Sequence, residues 1–246
     1  MGPAFPVLDE VWSRGGLECS HARATGTPAG AVLSHPGSRL LAVTENPPPP
    51  PPAPSQPVSR TQYYTATTLD GFIADASNSL DWLFAVPGEE GARDEFTPFF
   101  AEVGAMAMGS TTYEWVLAHE GLLEQPEKWQ ETYGSMPTFV FSSRDVPVLP
   151  GSAIRIVRGD VSAVHRDLIA AAAGRNVWVM GGGDLAGQFA DAGLLDEVIV
   201  SVAPVTLGSG ASLLPRRLLA DRLSLTDVRR VGQFAELRYR VGPLPS

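Results

Sequence analysis

The sequence contains few of the residues on which several classes of protein depend. Its 246 residues include one cysteine, Cys19, which excludes an internal disulfide framework and fits a reducing cytoplasm. No run approaches the roughly 18 apolar residues of a membrane-spanning helix, and no basic stretch followed by an apolar run predicts a secretory leader. The net charge is −9, and one lysine accompanies 17 arginines. We therefore expect a cytoplasmic protein that binds neither a membrane nor nucleic acid.

Histidine is also scarce, which limits the available enzyme chemistry. His21 and His35 precede a proline-rich segment, so only His119 and His165 remain for the rest of the chain. His165 falls on the polar side of its predicted helix, a position typical of a solvated side chain. There is no G-x-S-x-G elbow for a serine hydrolase and no His/Cys cluster for a metal. A carboxylate-only Mg²⁺ site stays open, although no P-loop accompanies it. The composition favours chemistry supplied by an organic cofactor, with no metal.

The first 59 residues differ in composition from the remainder. The prolines of the run "NPPPPPPAPSQPVS", residues 46–59, remove backbone donors and fix φ at successive positions, which predicts an extended linker resembling polyproline. The residues upstream of it show no sustained period of 2 or 3.6. Residues 1–59 are therefore predicted to be a disordered Pro/Gly-rich extension. Alternatively, this extension is a docking tail for an SH3-like partner, or it results from a misassigned start codon.

Residues 60–246 have the pattern of an α/β domain. Short apolar runs in the middle predict strands buried on both faces. The last strand alternates, which predicts an antiparallel strand with Glu236, Arg238 and Arg240 facing solvent. Together these patterns predict a mixed central sheet of about eight strands, flanked by helices and antiparallel at its C-terminal edge. The predicted strands are 62–67, 105–109, 138–142, 154–157, 177–180, 197–202, 223–231 and 234–241, and the predicted helices lie within 89–104, 110–119 and 159–174.

Three consecutive glycines separate an apolar strand from a helix in "VWVMGGGDLAGQF", residues 177–189. Glycines let a backbone approach a pyrophosphate closely, and the free N–H groups of the next helix bind an anion. Gly181, Gly183 and Ala186 formally satisfy G-x-G-x-x-A. However, the next strand does not end in an acidic residue, so a Rossmann unit is not predicted. A glycine turn without a ligand remains an alternative.

Two further loops follow predicted strands. "GSTTYE", residues 109–114, places a glycine and three hydroxyls at the start of a helix, which suits an anion. "FSSRD", residues 141–145, places two serines and Arg144 at a strand end, where a guanidinium suits a ribose 2′-phosphate. Alternatively, the hydroxyls of the first segment only cap the helix, and the second segment is only a polar turn. Three such loops in one sheet would converge on one crevice.

These segments together resemble the dihydrofolate-reductase-like superfamily, in particular the reductase domain of the bifunctional riboflavin-biosynthesis deaminase-reductase. "YYTATTLDGFIA" is similar to the branch's first strand and S-x-D-G-x-x-A loop, with Thr68 in place of serine. "MAMGSTTYEWV", "FVFSSR", "VMGGGDLAGQF" and "APVTLGSGASLLP" resemble its later motifs in order and spacing. Ser110 replaces the usual phosphate-pairing arginine. There is no cytidine-deaminase-like zinc motif, so we do not expect the complete bifunctional enzyme.

The resemblance implies an NADPH-dependent oxidoreductase that transfers hydride to a small heterocyclic or carbonyl substrate, as in the pterin or riboflavin pathways. A non-catalytic or degenerate NADPH-binding protein is the alternative. Homodimerisation through sheet edges is a further expectation. Asp70 is the predicted catalytic residue, as a polar contact to substrate or a proton relay, although Asp-Gly is also an ordinary turn. The predicted cofactor-binding residues are Ala66, Gly71, Gly109, Ser110, Thr111, Thr112, Ser142, Ser143, Arg144, Gly181, Gly182, Gly183, Asp184 and Leu185.

A substrate pocket is predicted beside the first long helix. Asp94, with Glu95 next to it, lies about one residue from the spacing of the acid that holds the pterin in dihydrofolate reductases. In an apolar cleft the pKa of Asp94 would be raised, as a proton donor requires. Alternatively, Asp94 and Glu95 are solvated acids in the first turn of the helix, where they interact favourably with its dipole. Aromatic side chains could stack on a flat heterocycle, with core packing as their alternative. The predicted substrate-binding residues are Phe72, Trp82, Asp94 and Phe99.

Overall fold

The computed structural model describes residues 59–87 and 90–244, without the side chains of residues 90–95. Residues 1–58, nearly all of the predicted extension, lie outside the described residues. In chain order the elements are β1 (Thr61–Thr68), β2 (Phe72–Ala74), α1 (Asp81–Phe84), α2 (Glu90–Ala101), β3 (Val103–Gly109), α3 (Ser110–His119), α4 (Glu127–Tyr133), β4 (Thr138–Phe141), β5 (Ile154–Val157), α5 (Val161–Ala172), β6 (Asn176–Gly181), α6 (Gly183–Asp191), β7 (Glu197–Ala203), β8 (Ala211–Ser212), β9 (Leu223–Val231) and β10 (Phe234–Val241).

Eight of these strands form one mixed sheet in the order β5-β4-β3-β6-β1-β7-β10-β9. The six strands from β5 to β7 are parallel. The last two pair antiparallel, β10 with β7 and β9 with β10. The predicted fold class, a mixed α/β sheet with an antiparallel C-terminal edge, is therefore confirmed. Because parallel strands end at the same edge, the loops after β1, β3, β4 and β6 lie near one another.

Apolar side chains fill both faces of the sheet. One core contains Tyr64, Met106 and Trp178 and packs under α2, α3 and α4. The other contains Tyr63, Ala105 and Val177 and packs under α5 and α6. Alternation along each strand sends successive side chains to opposite cores, which explains why the central strands read as continuous apolar runs. In the part of the chain described, no helix is both long and apolar enough to cross a membrane.

The sequence signals of α5 match its observed ends. Asp160 is the N-cap, and its carboxylate accepts a hydrogen bond from the Ser162 N–H at 2.7 Å. Val161, Val164 and Leu168 form the buried stripe. Four short elements were not predicted: α1, α4, β2 and β8. They contain two to seven residues, too few for a periodic pattern to stand out.

The predicted solvent face of β10 is wrong at Glu236. This side chain is only 1% exposed, whereas Ala235 is exposed. Its carboxylate accepts hydrogen bonds from the Tyr64 hydroxyl at 2.6 Å and from Arg238 at 3.0 and 3.1 Å. The strand is not at the edge, because β9 lies outside it, and its ladder with β9 shifts register between Arg238 and Tyr239. Alternation alone could not show which face of an inner strand is covered.

The interpretation of His165 as a solvated side chain is also wrong. The residue is half-buried, and its Nε2 lies 2.8 Å from the Thr61 Oγ1. Its ring packs 6.1 Å from that of Phe189. The helix α5 packs against α6 and the start of β1, neighbours that the periodicity of α5 alone does not reveal.

Acidification is expected to destabilise the protein partly through His165. Burial lowers the pKa of this imidazole from 6.5, and the charge of Asp196 partly opposes that effect. The unfolded chain therefore takes up the proton at a higher pH, so stability falls as the pH drops from 6.5 through the lower folded pKa. We expect the melting temperature to fall less in His165→Gln than in the wild type between about pH 7.5 and about pH 5.5. Equal falls would contradict this role.

Candidate functional site

A cavity of about 510 Å³ lies at the carboxyl edge of the sheet. The strands β1, β3, β4 and β6 contribute Thr65, Gly109, Phe141 and Met180 to its lining. This is the edge at which open α/β sheets bind ligands. The crevice predicted from the order of the loops is therefore present as a space, and its walls come from segments far apart in sequence.

Two helices begin at the cavity, and glycine is the N-cap of each. Gly109 precedes α3 and Gly182 precedes α6, and neither helix has a capping hydrogen bond from an N-cap side chain. The cavity is lined by the first turns of both helices, including Thr111 and Thr112 of α3 and Asp184 of α6. The first N–H groups of a helix lack intrahelical acceptors and carry the positive end of its dipole. The arrangement therefore suits an extended anion.

The glycines of the loop between β6 and α6 differ in their surroundings. A Cβ atom on Gly182 would meet only side-chain atoms, Thr112 Oγ1 at 3.9 Å and Ile73 Cδ1 at 4.0 Å, and φ there is −81°. A Cβ on Gly183 would lie 2.2 Å from the backbone oxygen of Ser212. Gly181 has φ +155°, a conformation that other residues rarely adopt. Gly183 and Gly181 are thus required by the fold, whereas Gly182 leaves open space at the cavity.

The opposite wall is the two-stranded ribbon of β2 and β8. Ile73 and Ala74 from β2 and Ala211 and Ser212 from β8 line the cavity. Its strands approach so closely that a Cβ on Gly210 would lie 2.1 Å from the backbone oxygen of Ala74. This glycine has φ +149°. The ribbon therefore forms one wall of the cavity and packs against the first turn of α6 at Gly183.

Aromatic side chains lie at another end of the cavity. Trp115 of α3 lines it beside Leu80 and Asn78. The Trp115 ring stacks on His119 at 4.6 Å, and the His119 ring stacks on Phe84 of α1 at 5.7 Å. The three stacked rings connect α1 to α3. Of the three, Trp115 lines the cavity, so it contributes an aromatic ring to this end.

The charge of Asp184, in the first turn of α6, is balanced by neighbouring groups. Gln188 donates to one of its oxygens at 2.9 Å and Arg216 to the other at 2.9 Å. The pKa of Asp184 is lowered, first by the hydrogen bond from Gln188 and then by that from Arg216. Arg216 also binds Asp191 at 2.5 Å. The carboxylate is thus ionised but held by donors beside the helix N-terminus.

The predicted phosphate-binding segment after β4 does not line the cavity. The Ser142 hydroxyl donates to the Arg144 backbone oxygen at 2.7 Å, so this side chain bonds within its own loop. Ser143 is exposed. The Arg144 guanidinium pairs with Glu114 of α3, and its side chain is 58% exposed. A cofactor role for these three residues stays a prediction.

Asp70 lies in the turn after β1, outside the cavity lining. Its carboxylate accepts hydrogen bonds from the Thr68 hydroxyl at 2.5 Å and from the N–H groups of Leu207 and Gly208 at 3.0 and 2.7 Å. The Thr68 hydroxyl is the largest cause of a lowered pKa of Asp70. These donors stabilise the ionised carboxylate, whereas proton donation near neutral pH requires a raised pKa.

The other predicted contacts also lie beyond the lining. Gly71, with φ +85°, completes the Asp70 turn. Ala66 and Trp82 pack in a small core with Ala203 and Phe234. Phe72 lies in β2 and is partly buried, and the buried Phe99 packs its ring 4.8 Å from that of Tyr64. The Asp94 side chain lies outside the described residues. The binding roles of these three residues stay predictions.

The structure adds cavity residues that motif reading missed. Ile73, Phe141 and Gln188 lie inside the quoted motifs, so the motifs themselves contained the signal. Gln188 is one helical turn after Asp184, which places both on the same face of α6. Thr65 and Trp115 also lie inside quoted motifs, but only the packing of strand and helix shows that they face the cavity. Nine of the predicted cofactor-binding residues line the cavity: Gly109, Ser110, Thr111, Thr112, Gly181, Gly182, Gly183, Asp184 and Leu185.

Comparison with known proteins agrees with this geometry. Residues 61–235 match the family described as the RibD C-terminal domain. The chain belongs to this family. The predicted branch of the dihydrofolate-reductase-like superfamily is therefore confirmed. The RibD C-terminal domain match includes β1, the glycine loop and the β2–β8 ribbon, so every wall of the cavity lies within it.

Individual relatives support the same assignment. The uncharacterised protein YwjB of Bacillus subtilis is 29% identical over 186 residues, which cover 73% of this chain and 97% of that protein. A structure from Shewanella sp. PV-4, named after riboflavin biosynthesis, has TM-score 0.57 and 26% identity and covers 74% of this chain and 99% of its own. Acinetobacter baumannii RibD shares the fold at TM-score 0.54 and 20% identity, covering 76% of this chain and 59% of that one.

Proposed function

We propose that this chain is an NADPH-dependent reductase that transfers hydride to a small heterocyclic or carbonyl substrate. The observation that carries the proposal is the cavity with two glycine-capped helix N-termini, at Gly109 and Gly182. Membership of the RibD C-terminal domain family and the name of the Shewanella relative support a reductase of the riboflavin-pathway type. NADPH, when bound, supplies the hydride from its nicotinamide ring.

The residues present fit a dinucleotide. The N–H groups at the starts of α3 and α6 would hold the pyrophosphate, with the hydroxyls of Ser110 and Thr112 beside them. Gly182 leaves room for a close approach of the phosphate oxygens, since a Cβ there would have no contact closer than 3.9 Å. The two loops also lie against each other: a Cβ on Gly109 would be 3.9 Å from the Gly181 oxygen. One phosphate-sized anion could therefore contact both.

The other lining residues would orient the reactants and exclude water. Ile73, Leu80 and Met180 present apolar surface, which lowers the local dielectric around a transferring hydride. Trp115 offers a flat face for a heterocycle. Thr65 and Asn78 supply polar atoms able to fix its orientation. These contacts suit a small substrate better than a large one, because the cavity of about 510 Å³ must also hold part of the cofactor.

Single-turnover oxidation of NADPH tests the proposed reaction. The enzyme, preloaded with NADPH, is mixed with pterins, flavin-pathway intermediates and simple carbonyl compounds in turn. We expect enzyme-dependent loss of NADPH absorbance with at least one of these classes. Tight NADPH binding without oxidation by any class would instead favour the non-catalytic alternative, for which Ser110 in place of the family's usual arginine is the motivating observation.

Arg144→Ala tests the proposed contact to the 2′-phosphate. Arg144 follows β4 beside Phe141, which lines the cavity, and its pairing with Glu114 leaves the guanidinium more than half exposed. A phosphate dianion would compete with Glu114 for it. We expect the Kd for NADPH to rise about tenfold and that for NADH less than about twofold. Glu114→Gln is the matched control, and it should tighten NADPH binding; equal effects of Arg144→Ala on both cofactors would exclude the contact.

A further inference from the structure

The ribbon that forms one wall of the cavity is too short to hold itself in place. β2 has three residues and β8 has two, and their pairing shifts register between Phe72 and Ala74. An isolated two-stranded ribbon is marginal in water even when longer. The segments that lead into it, namely the β1–β2 turn and the loop from Pro204 to Gly210, therefore help to fix its position.

Backbone hydrogen bonds connect the β1–β2 turn to the chain before and after β8. The Leu69 N–H donates to the Val205 oxygen at 2.7 Å, before the ribbon begins. The Leu213 N–H donates to the Gly71 oxygen at 2.9 Å, after β8 ends. Between these bonds lies the carboxylate of Asp70, the one acidic side chain in either segment.

We infer that Asp70 is a positioning residue, a clasp that joins the β1–β2 turn to the β7–β8 loop and so holds the ribbon as a wall of the cavity. Its carboxylate accepts from Leu207 N–H at 3.0 Å and Gly208 N–H at 2.7 Å, 137 and 138 residues away in sequence. The Thr68 hydroxyl, at 2.5 Å, fixes its orientation from the other side. The inference rests on the proposed function, because the wall matters only if the cavity binds reactants.

The geometry requires an aspartate at this position. Two adjacent backbone N–H groups point at one carboxylate because Gly208 adopts φ +74°, a conformation that favours glycine. A carboxylate accepts from all three donors with a full negative charge, whereas an asparagine would keep one neutral oxygen for the two backbone N–H groups and turn its NH₂ group toward the Thr68 hydroxyl. A glutamate would keep the charge but place its oxygens one carbon further out, so it would hold the two segments less closely. Because the hydrogen bonds of Asp70 to Leu207 and Gly208 are exposed, we expect them to act by fixing the positions of the two segments and not by adding buried contacts.

The clasp and a proton-donating Asp70 predict different pH behaviour. If Asp70 supplied a proton, the hydride-transfer rate would fall as pH rises through its pKa, and that limb would vanish in Asp70→Asn. If Asp70 is a clasp, the carboxylate stays ionised across the neutral range. The rate in Asp70→Asn would then be lower by a constant factor, with the same pH profile as the wild type.

Asp70→Asn and Asp70→Glu, in the full-length chain, test the clasp against a matched control. Asp160→Asn removes one charge from another exposed aspartate that accepts a backbone N–H, at the start of α5, away from the cavity. Two quantities are measured in each variant: amide hydrogen exchange at Leu207, Gly208 and Leu213, and the NADPH Kd alongside the single-turnover rate. Neither quantity should change in Asp160→Asn.

We expect exchange at these amides to become about tenfold faster in Asp70→Asn. The single-turnover rate should fall about 30-fold while the NADPH Kd changes less than about threefold, because the two helix N-termini do not depend on the clasp. Asp70→Glu should recover part of the rate. Three results for Asp70→Asn would each overturn the inference. They are amide exchange as slow as in the wild type, a wild-type single-turnover rate despite faster exchange, and the loss of a limb from the pH profile of that rate. If the wild type fails to bind NADPH, the proposed function fails, and the exchange measurement still decides whether the clasp exists.

Discussion

Replacing Gly182 by valine is expected to abolish NADPH binding while the protein stays folded. Gly182 has φ −81° and extended ψ, which valine adopts readily, and its Cβ would form only ordinary contacts with Thr112 and Ile73. The two methyl groups beyond that Cβ would occupy space at the two helix N-termini, where the pyrophosphate is proposed to lie. We expect the Kd to rise more than about 100-fold, with a melting temperature close to that of the wild type.

Gly183→Ala is the matched control for this loop. Its added Cβ would lie 2.2 Å from the Ser212 oxygen and 2.4 Å from the Leu213 oxygen, both backbone atoms that cannot move aside cheaply. This smaller substitution should therefore cost about 3 kcal/mol of folding stability. Comparison of the two variants by thermal melting and NADPH titration separates a binding position from a packing position. Wild-type NADPH affinity in a folded Gly182→Val protein would place the pyrophosphate elsewhere.

Arg238→Met is expected to destabilise the protein by about 3 kcal/mol, one of the largest effects available outside the cavity. Arg238 donates two hydrogen bonds to Glu236, whose side chain is 1% exposed. Removal of the guanidinium would leave this carboxylate with the Tyr64 hydroxyl as its remaining described partner. A buried carboxylate without a countercharge is costly, even though the original pair adds little net stability.

Glu236→Gln in the Arg238→Met background is the control for that prediction. Glutamine keeps the shape of the side chain and an acceptor for the Tyr64 hydroxyl, but it carries no charge. Chemical denaturation at neutral pH should show that the double variant recovers most of the lost stability. A deficit that persists in the double variant would show that lost packing of the arginine stem is responsible.

The parts of the fold that the sequence predicts are those with long or repeated signals. All eight sheet strands begin or end within one residue of their predicted bounds, and seven do so at both ends, because apolar runs and turns delimit them. The stripe of α5 was likewise visible. The ribbon strands β2 and β8 were not, because two or three residues have no period. The burial of Glu236 was hidden because its carboxylate contacts the Tyr64 hydroxyl of β1, which is 172 residues away in sequence.

The candidate site shows the same division. Gly109 and Gly182 could be predicted as cavity residues because a glycine before a helix leaves the first N–H groups of the helix accessible to an anion. The environment of Arg144 could not, since its partner Glu114 is 30 residues away and belongs to another element. The motif predicts Asp70 as a catalytic residue, a role that stays a prediction. Its hydrogen bonds to Leu207 and Gly208 became visible only when the β7–β8 loop was placed beside it.

Titration of the purified chain with NADPH in an isothermal calorimeter tests the central claim most directly. If the cavity at the carboxyl edge of the sheet is a dinucleotide site, NADPH should bind once per chain with a Kd at or below about 10 μM. Gly182→Val should show no binding under the same conditions. The absence of any binding heat and of any thermal shift in the wild type at about 1 mM NADPH would contradict the account.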